Sequence, residues 1–144
     1  KSNIHRFNDD FNTAFIDTGS PHLIRLHKNI DKIDIVKEAR ELKIKYSEYT
    51  EGLNINFCEI SDSKFKLRTY ERGVENETLS CGTGAVASAI FLKDLAIVES
   101  VKIKILMKGG TLDVDFKSKE TTYSEIWLTG SVNMVFKGVY NNFD

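Results

Sequence analysis

Cys81 stands in the run Cys81-Gly82-Thr83-Gly84, where a nucleophilic side chain adjoins backbone left open by two glycines. An apolar, alanine-rich stretch of helical length, Thr83 to Lys93, follows directly. The first turn of a helix has N–H groups without intrahelical partners and the positive end of the helix dipole, and both suit a carboxylate. The same field stabilises a thiolate, which makes Cys81 a competent base or nucleophile near neutral pH. One constellation thus holds an anionic group and offers a proton acceptor beside it. The other reading of the same residues is structural: a small buried cysteine in a glycine turn, since cysteine is among the most buried residue types. The glycines do not form a dinucleotide or P-loop fingerprint, because the third glycine of the one and the lysine of the other are missing.

The elements that must position this turn can be read from periodicity. Thr13 to Asp17 and His22 to His27 read as strands on either side of Thr18-Gly19-Ser20-Pro21, where the proline biases Ser20 toward extended backbone. Asp34 to Leu42 has Ile35, Ala39 and Leu42 at helical spacing, with Asp31 or Asp34 available as the cap. Leu53 to Ile60 and Lys64 to Tyr70 read as a hairpin; Leu53, Ile55 and Phe57 share one face of the first strand, and Phe65, Leu67 and Thr69 share one face of the second. After a polar loop from Glu71 to Ser80, the Thr83 helix is expected to be capped by Thr83 or Ser80. It is apolar on every side, so sheet should wrap it from more than one direction. Val101 to Met107, Thr111 to Phe116, Ser124 to Thr129 and Val132 to Lys137 complete an antiparallel meander that reverses at Gly109-Gly110 and Gly130-Ser131. Eight strands in runs with two helices predict an α+β fold rather than a doubly wound one.

The 144 residues are the length of one domain, and one core is expected. With 41% hydrophobic and 28% charged residues the chain has a globular composition. Twenty Lys and Arg oppose twenty-one Asp and Glu, so the net charge of -1 provides no general attraction to nucleic acid or anionic membrane. Two cysteines, Cys58 and Cys81, do not make a disulfide framework, and a reducing, cytoplasmic setting is expected. No apolar run reaches the roughly 20 residues that span a bilayer, and Lys1-Ser2-Asn3 does not begin a secretory leader. No His, Cys and carboxylate cluster has metal-ligand spacing. Cys58, Trp127, His5 and His27 read as structural or surface residues.

Tyr70-Glu-Arg-Gly-Val-Glu-Asn-Glu-Thr-Leu-Ser-Cys-Gly-Thr-Gly-Ala85 closely resembles the second signature of the diaminopimelate epimerase family, isomerases that need no cofactor. Gly19-Ser-Pro-His22, Leu53-Asn-Ile-Asn-Phe57, Gly109-Gly-Thr-Leu-Asp-Val114 and Leu128-Thr-Gly-Ser-Val-Asn-Met-Val-Phe-Lys-Gly138 resemble further family blocks in the same order. The resemblance implies two similar lobes, each a curved, largely antiparallel or mixed, barrel-like sheet around a central apolar helix, with the site between them. Residues 1–144 resemble the second lobe as a single domain, with the first lobe absent.

Each lobe of such an enzyme contributes a cysteine, and the two act in turn as base and acid on opposite faces of the substrate α-carbon, interconverting LL- and meso-diaminopimelate. By this resemblance Cys81 is one catalytic thiol, and His22 lies near it and orients or polarises the site. The N–H groups of Gly82 and Thr83 hold the α-carboxylate. Arg72 binds the distal carboxylate as a fork of donors, Glu71 receives the distal ammonium, and Asn54 adds an amide contact. Ser20 stands where the commoner family form, Gly-Asn-Pro-His, has Asn, and its shorter reach alters one substrate contact. The implied partners are a small amino-acid substrate, the missing lobe and a possible second copy of the chain; no metal or organic cofactor is implied. Rival readings are a related two-lobe isomerase such as a proline racemase relative or a phenazine-pathway type, a non-catalytic binding or assembly module, and a Cys-His hydrolase, which needs His hydrogen-bonded to Cys81.

Overall fold

The computed structural model describes residues 4–7, 10–49, 52–61 and 64–140. Nine strands and two α-helices occur among them: β1 (Ile4–Phe7), β2 (Asp10–Asp17), β3 (Pro21–Leu26), α1 (Ile35–Lys45), β4 (Asn54–Ser61), β5 (Lys64–Glu71), β6 (Asn76–Thr78), α2 (Gly82–Asp94), β7 (Lys102–Met107), β8 (Gly110–Lys119) and β9 (Thr122–Gly130). Two short 3-10 turns, Ile30–Lys32 and Ser47–Tyr49, flank α1.

The strands form one mixed sheet in the order β1-β2-β3-β4-β5-β7-β8-β9, with β6 paired to β5 beside that path. Two of its pairings are parallel, β3 with β4 and β5 with β7. Parallel neighbours cannot be joined by a tight hairpin and need a crossover. Here each crossover carries a helix: α1 lies between β3 and β4 in the chain, and α2 between β5 and β7.

The two helices pack on opposite faces of the sheet. α1 buries Ile35, Ala39 and Leu42 in a cluster with Leu23, Leu53, Ile55, Phe57 and Tyr70. α2 is buried without a break from Gly84 to Leu92, in a separate cluster with Ala14, Ile16, Ile24, Cys58, Leu67, Ile103, Ile105 and Val114. Strands from both halves of the sheet, β2 to β4 and β7 to β9, contact α2, so the sheet curls around that helix as a half-barrel. A helix apolar on all sides is stable in water only when enclosed in this way.

The α+β class, the mixed sheet and the enclosed apolar helix agree with the expectation from sequence. Several details differ. There are two hydrophobic clusters instead of one, because the sheet has a helix on each face and alternate residues of β4 feed opposite sides. β1 and β6 were not read from the sequence. The expected final strand, Val132 to Lys137, does not form: residues 131–140 have no regular structure, and Val132, Met134, Val135 and Phe136 are more than 80% exposed, at 92%, 88%, 87% and 82%. Its alternating apolar residues favour extended backbone, but that pattern does not by itself bring a segment onto a sheet: among the described residues the outer edge of β9 stays unpaired. No helix among the described residues is long and apolar enough to cross a membrane.

Candidate active site

β3 and β4 run parallel with His22 opposite Asn54 and Ile24 opposite Asn56. Alternation therefore puts His22, Asn54 and Asn56 on the α2 side of the sheet, while Leu23, Ile55 and Phe57 pack toward α1. On the neighbouring antiparallel pairing, Asn56 faces Thr69 of β5. α2 arrives over these residues with Cys81 as its N-cap, in extended backbone at φ -133° and ψ 106°.

The expected capping by Ser80 or Thr83 does not occur. Cys81 itself occupies the cap position and makes no side-chain capping bond. Ser80 Oγ turns instead to Met107 Sδ at 3.6 Å, and Thr83 Oγ1 lies 2.9 Å from His22 Nε2. The Ala85 N–H closes the first helical bond onto the Cys81 carbonyl at 2.9 Å. Cys81 Sγ lies 3.6 Å from Thr83 Oγ1, and the residue keeps only 8% of its surface exposed.

His22 is fully buried. Burial, with Arg72 adding to it and Asp17 opposing, pushes its pKa down to about 4. Both ring nitrogens are engaged by groups other than the thiol, Nε2 by Thr83 and Nδ1 by the Asn56 amide at 3.0 Å. This arrangement differs from that of a Cys-His hydrolase, in which imidazole and thiol bond directly.

Of the remaining sequence-predicted residues, Ser20 and Asn54 meet: the Asn54 amide donates to Ser20 Oγ at 2.9 Å and to the Pro21 carbonyl at 3.1 Å. Its oxygen accepts the Arg72 backbone N–H at 3.0 Å. Asn54 thereby ties the Ser20 turn to the start of the Arg72 loop. The Arg72 side chain is exposed and lies along Gly52, where an added Cβ would come within 2.7 Å of Arg72 Cδ and φ is +102°. Glu71, half-buried at the end of β5, accepts from Thr78 Oγ1 at 2.9 Å. Gly82 faces Leu128 of β9, whose Cδ2 would stand 2.7 Å from a Cβ there. An open groove of about 440 Å3 passes Thr83, between Asp17, Gly19 and Tyr123.

Sequence reasoning missed Asn56 and Thr69. Both are fully buried, and the Thr69 hydroxyl donates to Asn56 Oδ1 at 2.9 Å. A second asparagine two places after Asn54, in a strand otherwise apolar around it, was the available signal. A buried amide in such a strand needs partners that only neighbouring strands provide. Among the described residues no group of three or more His, Cys, Asp or Glu could hold a metal ion.

The sequence model of the diaminopimelate epimerase family matches residues 14–135. Diaminopimelate epimerase of Flavobacterium psychrophilum is 41% identical over 138 residues, which cover 94% of this chain and 53% of the relative. That of Aquifex aeolicus is 39% identical across 87% of this chain and 44% of the relative, and that of Archaeoglobus fulgidus is 43% identical across 85% and 41%. The chain spans about half the length of the curated relatives it matches. Among solved structures, a phenazine biosynthesis protein of the PhzF family from Enterococcus faecalis superposes with a TM-score of 0.52 at 19% identity, over 81% of this chain and 39% of that one. A Bacillus anthracis protein of the same description gives 0.51 at 21%, over 78% and 34%. At those identities the likeness is one of fold alone. The family model, by contrast, takes in the His22, Asn54, Glu71-Arg72 and Cys81 blocks together, and the chain belongs to the diaminopimelate epimerase family.

Proposed function

We propose that this chain is one lobe of a diaminopimelate epimerase and that Cys81 is one of two thiols that invert the substrate α-carbon. The observation that carries this reading is the sulfur at the N-cap of α2, beside first-turn N–H groups that no side-chain cap from Cys81 occupies. A substrate carboxylate held by the Gly82 and Thr83 N–H groups brings its α-carbon next to that sulfur. As thiolate, Cys81 takes the α-hydrogen as a proton; the electron pair left on carbon is stabilised by the bound carboxylate, and a thiol on the opposite face returns a proton. For the opposite substrate hand the two thiols exchange roles. Arg72 and Glu71 receive the distal carboxylate and ammonium, His22 orients the Thr83 side of the site, and Asn54 with Ser20 shapes the wall between them.

The opposing thiol belongs to a first lobe. The exposed apolar residues Trp127, Leu128, Val132, Met134 and Phe136 support packing against such a lobe or a second copy of the chain. A thiol that must alternate between protonated and ionised forms requires a reducing setting, and we assign the protein to the cytoplasm on that ground.

Protein carrying both lobes, incubated with diaminopimelate in deuterated water, exchanges the α-hydrogen as it inverts the centre. Cys81→Ala lowers that exchange roughly 1000-fold. Full epimerisation by the Cys81→Ala protein removes Cys81 from the mechanism. The 144-residue chain alone turns over little or no substrate, because water enters the open wall and weakens every electrostatic contact there.

A further inference from the structure

We infer that Asn56 and Thr69 are positioning residues that hold His22 with its proton on Nε2, so that the imidazole donates to the Thr83 hydroxyl and this hydroxyl in turn donates to the Cys81 sulfur. The inference deepens the proposed role of Cys81: it explains how a neutral, buried imidazole favours the thiolate without touching it.

The direction of the chain follows from its innermost member. Asn56 Nδ2 lies 3.0 Å from His22 Nδ1, 3.3 Å from the Leu23 carbonyl and 3.5 Å from the Asn54 carbonyl. Two of those neighbours are carbonyl oxygens, which only accept, so the NH2 end of the amide must face this way. The other end, Oδ1, then accepts the Thr69 hydroxyl of β5 at 2.9 Å. His22 Nδ1 therefore accepts a hydrogen bond from the Asn56 amide with its lone pair and carries no proton. In a neutral ring the proton is then on Nε2, which donates to Thr83 Oγ1 at 2.9 Å. With one lone pair so used, the Thr83 hydroxyl proton is free to point at Cys81 Sγ, 3.6 Å away.

Every link therefore runs outward, from Thr69 and Asn56 through His22 and Thr83 to the sulfur. Gly84 makes room for the relay: a Cβ there would stand 2.4 Å from Asn56 Oδ1 and 3.2 Å from Cys81 Sγ. The charged groups acting on the ring are Asp17, at the end of β2, and Arg72, just past β5.

Two measurements on the 144-residue chain test the relay without turnover. Nitrogen-15 NMR of the His22 ring is expected to show Nδ1 unprotonated and Nε2 protonated. In Asn56→Asp the new carboxylate only accepts, and a proton appears on Nδ1. Separately, iodoacetamide alkylation of Cys81 slows about tenfold or more in Thr83→Val, as for loss of one hydrogen bond to an ionised group, and returns to the parent rate in Thr83→Ser. Cys58 does not interfere, since it is fully buried and its pKa is pushed up to about 12. A protonated Nδ1 in the parent chain, an unprotonated Nδ1 in Asn56→Asp, or unchanged alkylation in Thr83→Val overturns the inference. The parent spectrum and the Thr83 pair decide it even where the Asn56 variant does not fold. Loss of the proposed epimerase activity would leave these readings standing, and their failure would leave the activity standing.

Discussion

Helix α1 begins at Asp34, whose carboxylate takes the Lys37 N–H at 3.1 Å, whereas α2 begins at Cys81, whose side chain takes none. α1 has Lys43 and Lys45 in its last turn and buries only the stripe Ile35, Ala39 and Leu42. α2 buries nine consecutive residues from Gly84 to Leu92. The first helix is therefore stabilised locally, by a cap, favourable end charges and one apolar face. The second is held by enclosure. Because the surrounding sheet supplies the stability of α2, its first-turn amides need not be consumed by a cap, and they remain available to a carboxylate.

The largest test of this contrast is in the helix bodies. Phe91→Ala in α2 is expected to cost about 3–5 kcal/mol, against about 2–3 kcal/mol for Leu42→Ala at the rim of α1, both measured by urea unfolding. Equal losses at the two positions would show that enclosure is not what distinguishes the helices.

Protonation of His22 comes next. The ring titrates near pH 6.5 in an unfolded chain and near 4 when folded. Between those values the unfolded chain takes up a proton that the folded chain refuses. The stability that goes with the neutral ring is therefore complete above about pH 6.5 and lost as pH falls toward 4, about 3 kcal/mol in all. Comparing the parent with His22→Gln at pH 7 and pH 4 isolates this part, because the carboxylates common to both cancel. A parent that lost no more than the variant would mean that the ring is not held neutral.

A smaller effect is expected at Gly84. Alanine is the better helix former by about 1 kcal/mol, but its methyl would meet Asn56 Oδ1 at 2.4 Å, and Asn56 is held by partners on both sides. We expect Gly84→Ala to be net destabilising by about 1–2 kcal/mol and to slow Cys81 alkylation, whereas Gly→Ala in an open helix stabilises. A stabilised variant would show that Asn56 can move aside.

The smallest effects are at the caps themselves, and they have opposite signs. Asp34→Ala removes a working cap and costs about 1 kcal/mol, while Cys81→Ser installs an oxygen acceptor at an extended N-cap and adds about 0.5 kcal/mol as it removes the reactive sulfur. Thermal melts of the two variants check both signs. A Cys81→Ser protein less stable than the parent would show that its first-turn amides cannot accept a cap.

From sequence alone, local patterns determined a good deal. Period-two alternation located β4 and β5 as a hairpin, helical spacing located α1, and the unbroken apolar run from Ala85 to Leu92 required enclosure, because each of these depends on residues close in the chain. The Cys81 turn stood out by its residue types, whereas the blocks around His22, Asn54 and Glu71-Arg72 were read as site residues only through their resemblance to the family.

Long-range pairing was not legible. The parallel contacts of β3 with β4 and of β5 with β7 separated the two helices onto opposite faces and divided the core in two. Val132 to Lys137 had the pattern of a strand yet joined no sheet edge, an outcome that its own alternation does not decide. Thr83 and Ser80 looked like caps until folding brought His22 to one and Met107 to the other. Asn56 and Thr69, 13 residues apart, gained meaning only when strand register set them side by side beneath Cys81. A hydrogen bond depends on distances that register and packing set, and no window along the chain contains both of its ends.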